Sequence, residues 1–486
     1  MLRGPQGTLF GRNALAGAVN IVSKQPSFTK ASAFVEVSTG AYKRMDVRAG
    51  FNMPLADNLA ISVSGLSKKR DGYFTLFDFR CQMIANGTPA LAGNVPFSNT
   101  LTQGASNFTP SSCKVGTLGG ENVQALRGSV VWQAAPNIRL TVSGDWIDDH
   151  SGNAADKLVA VAGSPSNNVI TAANALGVAY DSRFVTNSLY TGYATYSDPI
   201  GSGTVIAGNT FYTGRPDRGG AAFSPQSTVD QWGVSGKLVV GVTDRVDLTA
   251  IVGYRNINDH HAFDIDNSPL VIEHTNLAIG EHYTNAELRL SGKSTLIDWV
   301  VGAFYFNGSG FTHAVDYAVT SGFYKIQNIT YAPLSKAIYG NATIKPFARL
   351  DLTLGGRWSD DKKAVNYSNV LDTNPTPGVG DTIFAVTPQA RHFDWKLGAA
   401  YHVTDAVMLY TSASTGSRLP GYNTRPQQPD QVVSYPGDKT LAYELGIKGD
   451  FLDHKLRVNL AGFYTATAWP TRPPESPCCA CRARTS

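Results

Sequence analysis

Cysteine and methionine are scarce, five of each in 486 residues, and charged side chains make up only 16%. So few cysteines exclude a disulfide-built scaffold. The balance of 41 basic and 37 acidic residues, a formal +4, gives no basic footprint for nucleic acid, and none is expected as a partner. No stretch approaches the run of about 18 apolar residues that a membrane-spanning helix needs. Mean hydropathy is slightly negative, −0.14. This leaves a transmembrane barrel open, because its strands alternate lipid-facing and lumen-facing residues and average out in hydropathy. The opening Met1-Leu-Arg-Gly-Pro-Gln-Gly7 has no charged segment leading into an apolar one, so no signal peptide is visible.

What the chain does have is glycine (48), tyrosine (21) and phenylalanine (22), a composition that suits a large antiparallel β protein. It also has alternation. From Ile138 to Trp146, Arg139, Thr141, Ser143 and Asp145 fall on one side, and Ile138, Leu140, Val142 and Trp146 on the other. Leu350, Leu352, Leu354 and Trp358 alternate in the same way with Asp351, Thr353, Arg357 and Ser359. Period two over roughly ten residues is a strand with one apolar face, long enough to cross a membrane at a tilt.

About fifteen such strands are expected, near 31–39, 43–53, 58–70, 122–134, 137–148, 231–241, 245–256, 282–292, 296–307, 336–345, 349–361, 392–402, 406–416, 439–450 and 454–466. Tight turns at Pro54–Asp57, Ala135–Pro136, Thr243–Asp244, Lys293–Thr295, Pro346–Phe347, Thr404–Asp405 and Leu452–Asp453 take turns with long polar connections at 71–121, 149–230, 257–281, 308–335, 362–391 and 417–438. Short turns on one side and long loops on the other are the habit of outer-membrane barrels. Trp132, Trp146, Trp358 and Tyr464 fit aromatic girdles. A soluble all-β protein is the competing architecture. Plugged transporters close with about 22 strands, so some seven would be missing at the C-terminal end.

Residues 2–24, Leu-Arg-Gly-Pro-Gln-Gly-Thr-Leu-Phe-Gly-Arg-Asn-Ala-Leu-Ala-Gly-Ala-Val-Asn-Ile-Val-Ser-Lys, resemble the segment that closes the plug of TonB-dependent receptors. The signature rests on Arg3, Gly4, Pro5, Gly7, Gly11, Gly17 and Asn20, with Val19, Ile21 and Val22 read as a short exit strand. A phosphate-cradling loop would need Gly-Lys-Ser/Thr or G-x-G-x-x-G, and neither is present. Leu409 to Asn423 is similar to a barrel strand and loop of the same family through Gly416, Arg418, Tyr422 and Asn423, although Ser417 stands where Phe is usual. Leu441 to Phe451 resembles its E-x-G-x-K strand, with Glu444, Gly446 and Lys448 toward the lumen. Asn285–Leu290 with Trp299–Phe304 resembles a mid-barrel hairpin.

The resemblance implies an all-β fold: an antiparallel transmembrane β-barrel, truncated to about 15 of about 22 strands, with a short plug remnant at the N-terminus. Residues 1–26 would be that remnant, 27–466 the partial barrel and 467–486 an aberrant tail, out of frame, rich in Pro, Cys and Arg. It implies a transporter, not an enzyme, in the outer membrane and in contact with its lipid. Its ligand would be a ferric siderophore or another large nutrient, and its partner TonB, acting through a box not found in this chain. No cofactor is expected. As given, the chain would be a non-functional fragment; a passive porin-like channel and a pseudogene product are the alternatives.

Lesser constellations remain. Cys81 and Cys113 share the connection 71–121 and form a possible disulfide in an oxidising compartment. His260, His261, His274 and His282 with Asp259, Asp264 and Asp266 could contact a metal or haem, or could be a solvated polar loop. Arg139, Arg289, Arg357, Lys396 and Lys448 could draw an anionic chelate into the lumen, or be paired there with acids. Cys478, Cys479 and Cys481 match no standard zinc spacing.

Overall fold

The computed structural model describes residues 2–11, 14–93, 95, 113–161, 177–193, 205–206, 209–210, 226–270, 273–318, 323–371, 382–423, 434–452 and 455–468. One 16-stranded antiparallel sheet dominates. Fifteen of its strands follow one another in chain order: β1 (Ser32–Gly40), β2 (Arg44–Ala56), β3 (Leu59–Arg70), β4 (Glu121–Ala135), β5 (Ile138–Gly152), β6 (Gln226–Thr243), β7 (Val246–Asp264), β8 (Glu273–Lys293), β9 (Ile297–Ala318), β10 (Phe323–Phe347), β11 (Leu350–Leu371), β12 (Gln389–His402), β13 (Val407–Ser417), β14 (Lys439–Phe451) and β15 (Leu456–Ala468). The sixteenth, Thr382–Val386, pairs with the outer part of β11. Among the described residues the wall is open: β1 and β15 each have a single neighbour. No described helix is long and apolar enough to cross a membrane.

The alternation in sequence becomes two faces. Leu354 and Leu397 are register partners, and both lie on the outer face with Val301, Trp358 and Tyr401, exposed as a lipid-facing band requires. Their chain neighbours Arg357, Ser359, Asp361 and Asp394 point inward and are buried. Glycine and aromatic positions interlock across the ladder. A Cβ at Gly302, Gly310 or Gly446 would come within 2.6, 2.6 and 2.5 Å of the rings of Tyr339, Tyr331 and Tyr410, so each glycine leaves a slot that a facing ring fills. At Gly446 the flanking residues complete the slot: Tyr410 OH donates to Glu444 Oε1 (2.7 Å), and Lys448 Nζ lies 5.0 Å from the ring centre.

The turns fall within a residue or two of expectation, but three long connections do not. Residues 257–281, 308–335 and 362–391 are largely strand, since β7 runs on to Asp264, β8 starts at Glu273, and β9, β10 and β11 extend to Ala318, from Phe323 and to Leu371. Above the lipid the outward face no longer has to be apolar, and buried apolar residues such as Ile329, Val365 and Tyr367 sit there instead. The lipid-facing alternation lapses, while the backbone ladder continues unchanged, as the unbroken β8–β9 register from Lys293↔Asp298 to Glu273↔Ala318 shows. The exit strand expected at Val19–Val22 is also absent. Pairing stops at Leu2↔Ala18 and Arg3↔Gly17, and Val19, Ile21 and Val22 are 69%, 88% and 76% exposed. β-prone residues with no neighbouring edge make no ladder. From residue 469 the expected tail, with its three cysteines, lies outside the described residues.

Two connections read as polar loops pack into an outer cap with a core of its own. Phe74–Phe77 pairs antiparallel with Lys114–Leu118 and parallel with Thr191–Gly192. A helix at Phe79–Ala85 begins at Asp78, whose carboxylate accepts the Cys81 N–H (2.6 Å). Phe79 meets Phe184 and Tyr193 edge-on, with ring centres 5.0 and 5.3 Å apart, in a cluster that also holds Met83, Val178 and Leu270. Cys81 and Cys113 are joined by a disulfide, Cα atoms 5.5 Å apart, closing a segment of sequence separation 32.

Two outcomes follow from this architecture. Leu354→Arg, on the lipid face, costs about 2–4 kcal/mol, while the same change at luminal Thr353 costs less, measured by urea unfolding in lipid vesicles. Cys113→Ser removes about 2–4 kcal/mol of cap stability, read as faster amide exchange at Phe79 and Leu118 with β9–β11 unchanged.

Candidate ligand and plug site in the lumen

The N-terminal segment is a small hairpin held by Gly4 N–H to Ala16 O (3.1 Å) and Gln6 N–H to Ala14 O (2.9 Å). Between its arms a helical turn, Gly7–Phe10, touches β10, β11, β12 and β13. Gly11 ends the turn at φ +76°, where a side chain is strained, and a Cβ there would stand 3.1 Å from Arg357 Nη2. At Gly7 a Cβ would be 2.8 Å from the Asp394 carboxylate. These two glycines therefore let the backbone lie directly on charged wall residues.

Those wall residues form a buried polar cluster. Arg357 and Asp394 are register partners on β11 and β12. Asp394 is 0% exposed, and its Oδ1 accepts the hydroxyls of Thr415 (3.2 Å) and Ser417 (2.8 Å). Arg357 Nε donates to Ser359 Oγ (3.1 Å), and its guanidinium lies 5.4 Å from the ring centres of both Phe304 and Tyr339. His392 Nε2 stands 3.8 Å from Asp361 and 3.7 Å from Asp394. The β12–β13 ladder ends at Lys396↔Ser414, and beyond it the Trp395 N–H donates to Thr415 Oγ1 (2.9 Å) instead. Backbone pairing gives way there to side-chain bridges, and Pro5 lies against β13. A Cβ on Gly416 would meet Pro5 at 3.1 Å and Leu15 at 3.3 Å, and Ser414 Oγ donates to Pro5 O (3.5 Å). Two signatures some 400 residues apart in sequence thus meet at one point, Pro5 against Gly416.

Beside this seat is a cavity of about 450 Å³. Tyr283, Phe306, Tyr331, Tyr422 and Tyr435 line it, and Asp361 belongs both to its lining and to the cluster. Lys363 Nζ sits between two rings, 5.0 Å from Tyr331 and 5.2 Å from Tyr422. Burial first, then the hydrogen bond to Glu281, raises the Tyr331 phenol above its ordinary range, so this ring stays neutral. Arg418 pairs with Asp438, and Tyr422 belongs to the short Gly421–Tyr422/Ser434–Tyr435 ladder that roofs the space.

The other expected residues are dispersed. Glu444, Gly446 and Lys448 make the Tyr410 slot, away from the plug segment. Asn20 is exposed and the Arg3 side chain lies outside the described residues. Arg139 faces the Phe28 ring at 5.6 Å, and Arg289 lies 4.0 Å from Glu287. Asp361, His392, Asp394, Tyr331 and Lys363 were not singled out by sequence. The first signal was there, because Asp394 is in phase with Lys396 on a strand already assigned a lumen side.

A meandering wall with an apolar outer band and an N-terminal segment lodged within it defines a plugged outer-membrane type of β-barrel. The family model described as TonB dependent receptor-like, beta-barrel matches residues 173–467. The chain belongs to the TonB-dependent receptor family, whose members are transport receptors of the outer membrane rather than enzymes. It is 24% identical over 472 residues to the pesticin receptor of Yersinia pestis, covering 96% of this chain and 55% of that one. It therefore spans little more than half the length of the curated relatives it matches. Among solved structures, the ferric yersiniabactin uptake receptor FyuA of Yersinia pestis superposes with a TM-score of 0.66 at 18% identity, over 96% of this chain and 58% of that one. The siderophore receptor PiuA of Acinetobacter baumannii gives 0.61 at 12%, over 95% and 60%. At these identities the superpositions speak for the fold.

Asp394→Leu leaves the Thr415 and Ser417 hydroxyls without their acceptor, a cost of about 1–3 kcal/mol each, whereas Asp394→Asn keeps an acceptor and loses less. Urea unfolding of the three proteins, with the rate of trypsin cleavage after Lys24 as a gauge of plug seating, checks this ordering.

Proposed function

We propose that this chain serves energised import of a scarce iron chelate across the outer membrane, with a ferric siderophore as cargo and TonB as the partner that displaces the plug. In this reading residues 1–26 are the closing part of the plug and 27–466 the wall. The observation that carries it is the seat of the N-terminal hairpin at Gly416 and Asp394, sharing Asp361 with an aromatic-lined cavity. Five aromatic rings and a lysine suit a planar, anionic chelate through stacking and charge. The names of relatives support the same class, since they include a ferric yersiniabactin uptake receptor and a siderophore receptor. A passive pore is disfavoured, because the hairpin occupies the lumen. The two edges left open among the described residues, β1 and β15, must find partners before such a wall can seal in lipid.

The test is quenching of tryptophan fluorescence in the full chain, folded in detergent, by ferric yersiniabactin, a ferric tris-catecholate and their iron-free forms. At least one ferric form should bind at micromolar concentration or better, with Lys363→Ala and Tyr422→Ala each weakening it about tenfold, or ~1.4 kcal/mol. Equal binding of iron-free forms, no binding of either ferric chelate, or a steady large conductance in planar bilayers overturns the proposal.

A further inference from the structure

Far above the plug seat, the β7–β8 tip carries a constellation that import does not use. Asp264, the last residue of β7, is the register partner of His274 on β8, and the intervening loop brings Asp266 to the same spot. One donor atom from each residue lies within 4.8 Å of the others. His274 Nε2 and Asp264 Oδ1 are 3.6 Å apart. That separation is too long for a hydrogen bond. It matches the spacing of about 3.4 Å between two ligands of one tetrahedral ion with bonds of roughly 2.0–2.2 Å.

Burial and charge fit the same role. His274 is 2% exposed, and imidazole is the commonest side-chain ligand of metal ions. Asp264 is buried and Asp266 half-buried. Hydrogen bonds orient both carboxylates: Asp264 Oδ1 accepts the Asn267 N–H (3.1 Å), and Asp266 Oδ2 accepts the Ser268 N–H (3.2 Å) and hydroxyl (2.5 Å). A carboxylate has about four acceptor sites over two oxygens, so such contacts set direction without exhausting the ligand, as outer-shell contacts do around known ions. One imidazole with two carboxylates is a donor set for zinc-like divalent ions. The same loop sends Leu270 into the cap cluster with Phe79 and Phe184.

We infer that Asp264, Asp266 and His274 bind a divalent transition-metal ion of the zinc type, which closes the β7–β8 tip on itself and fixes the loop that carries Leu270. Zn(II) titrated calorimetrically into the full chain in detergent binds with one equivalent at micromolar concentration, and Co(II) gives visible d–d bands in the same protein. Asp266→Asn, at a half-buried position that leaves folding intact, weakens zinc at least tenfold and bleaches the cobalt bands. His260→Ala, on β7 outside the cluster, changes neither. No zinc uptake up to millimolar concentration, or zinc and cobalt signals indifferent to Asp266→Asn, overturns the assignment. Because the cobalt spectrum of the unmutated chain is itself decisive, the result does not hang on whether a His274 variant folds. Ferric chelate binding in the lumen is a separate readout, so the two proposals fail independently.

Discussion

Hydrocarbon offers no hydrogen bonds, so every backbone N–H and C=O that crosses it must be satisfied by a neighbouring strand. That one requirement organises the molecule. It forces long, continuous ladders, and a ladder sends alternate side chains to opposite faces. Lipid sorts one face for leucine, valine and aromatic rings. The other face can then carry Arg357, Asp394 and Glu444 at no cost to the membrane. The glycine slots under Tyr331, Tyr339 and Tyr410 serve the same end, because a ring lying over a glycine fills the wall without spreading the strands.

The lumen repeats this logic with charge. A buried carboxylate such as Asp394 must be hydrogen-bonded to persist, and Thr415 and Ser417 meet that need where the β12–β13 ladder gives out. Pro5 rests on β13 at the same level, against Gly416 and Ser414. Polar satisfaction, the end of backbone pairing and plug seating are therefore one arrangement at this point of the wall. The resemblance reached both sides of it, at Pro5 and Gly416, without showing that they touch.

How much was legible depended on where each residue sits relative to lipid. Inner strand ends follow the alternation closely: β11 was expected from 349 and begins at Leu350. Outer ends do not. β8 was expected from 282 and begins at Glu273, because Glu273–Glu281 mixes polar and apolar residues on both faces and carries no period. The cap was read as two polar loops although Phe74, Phe79 and Phe184 were in plain view. Their packing joins segments about a hundred residues apart, and local pattern holds no record of such contacts. The histidine and aspartate cluster was visible as composition around 259–282. Only the cross-strand register singles out Asp264 and His274 from the others. At Val19–Val22 the local pattern named a strand and the missing neighbour decided otherwise.

The N-terminal hairpin leans on one arc of the wall, the four adjacent strands β10 to β13, through contacts arranged in sequence from Pro5 to Gly11. Tension applied along such a segment loads them one after another, in the way adhesive tape leaves a surface, so the force it resists is set by its single strongest grip rather than by their sum. Asp394 and Gly416 mark that grip, and small chemical changes there would alter the yield point far more than equal changes spread elsewhere.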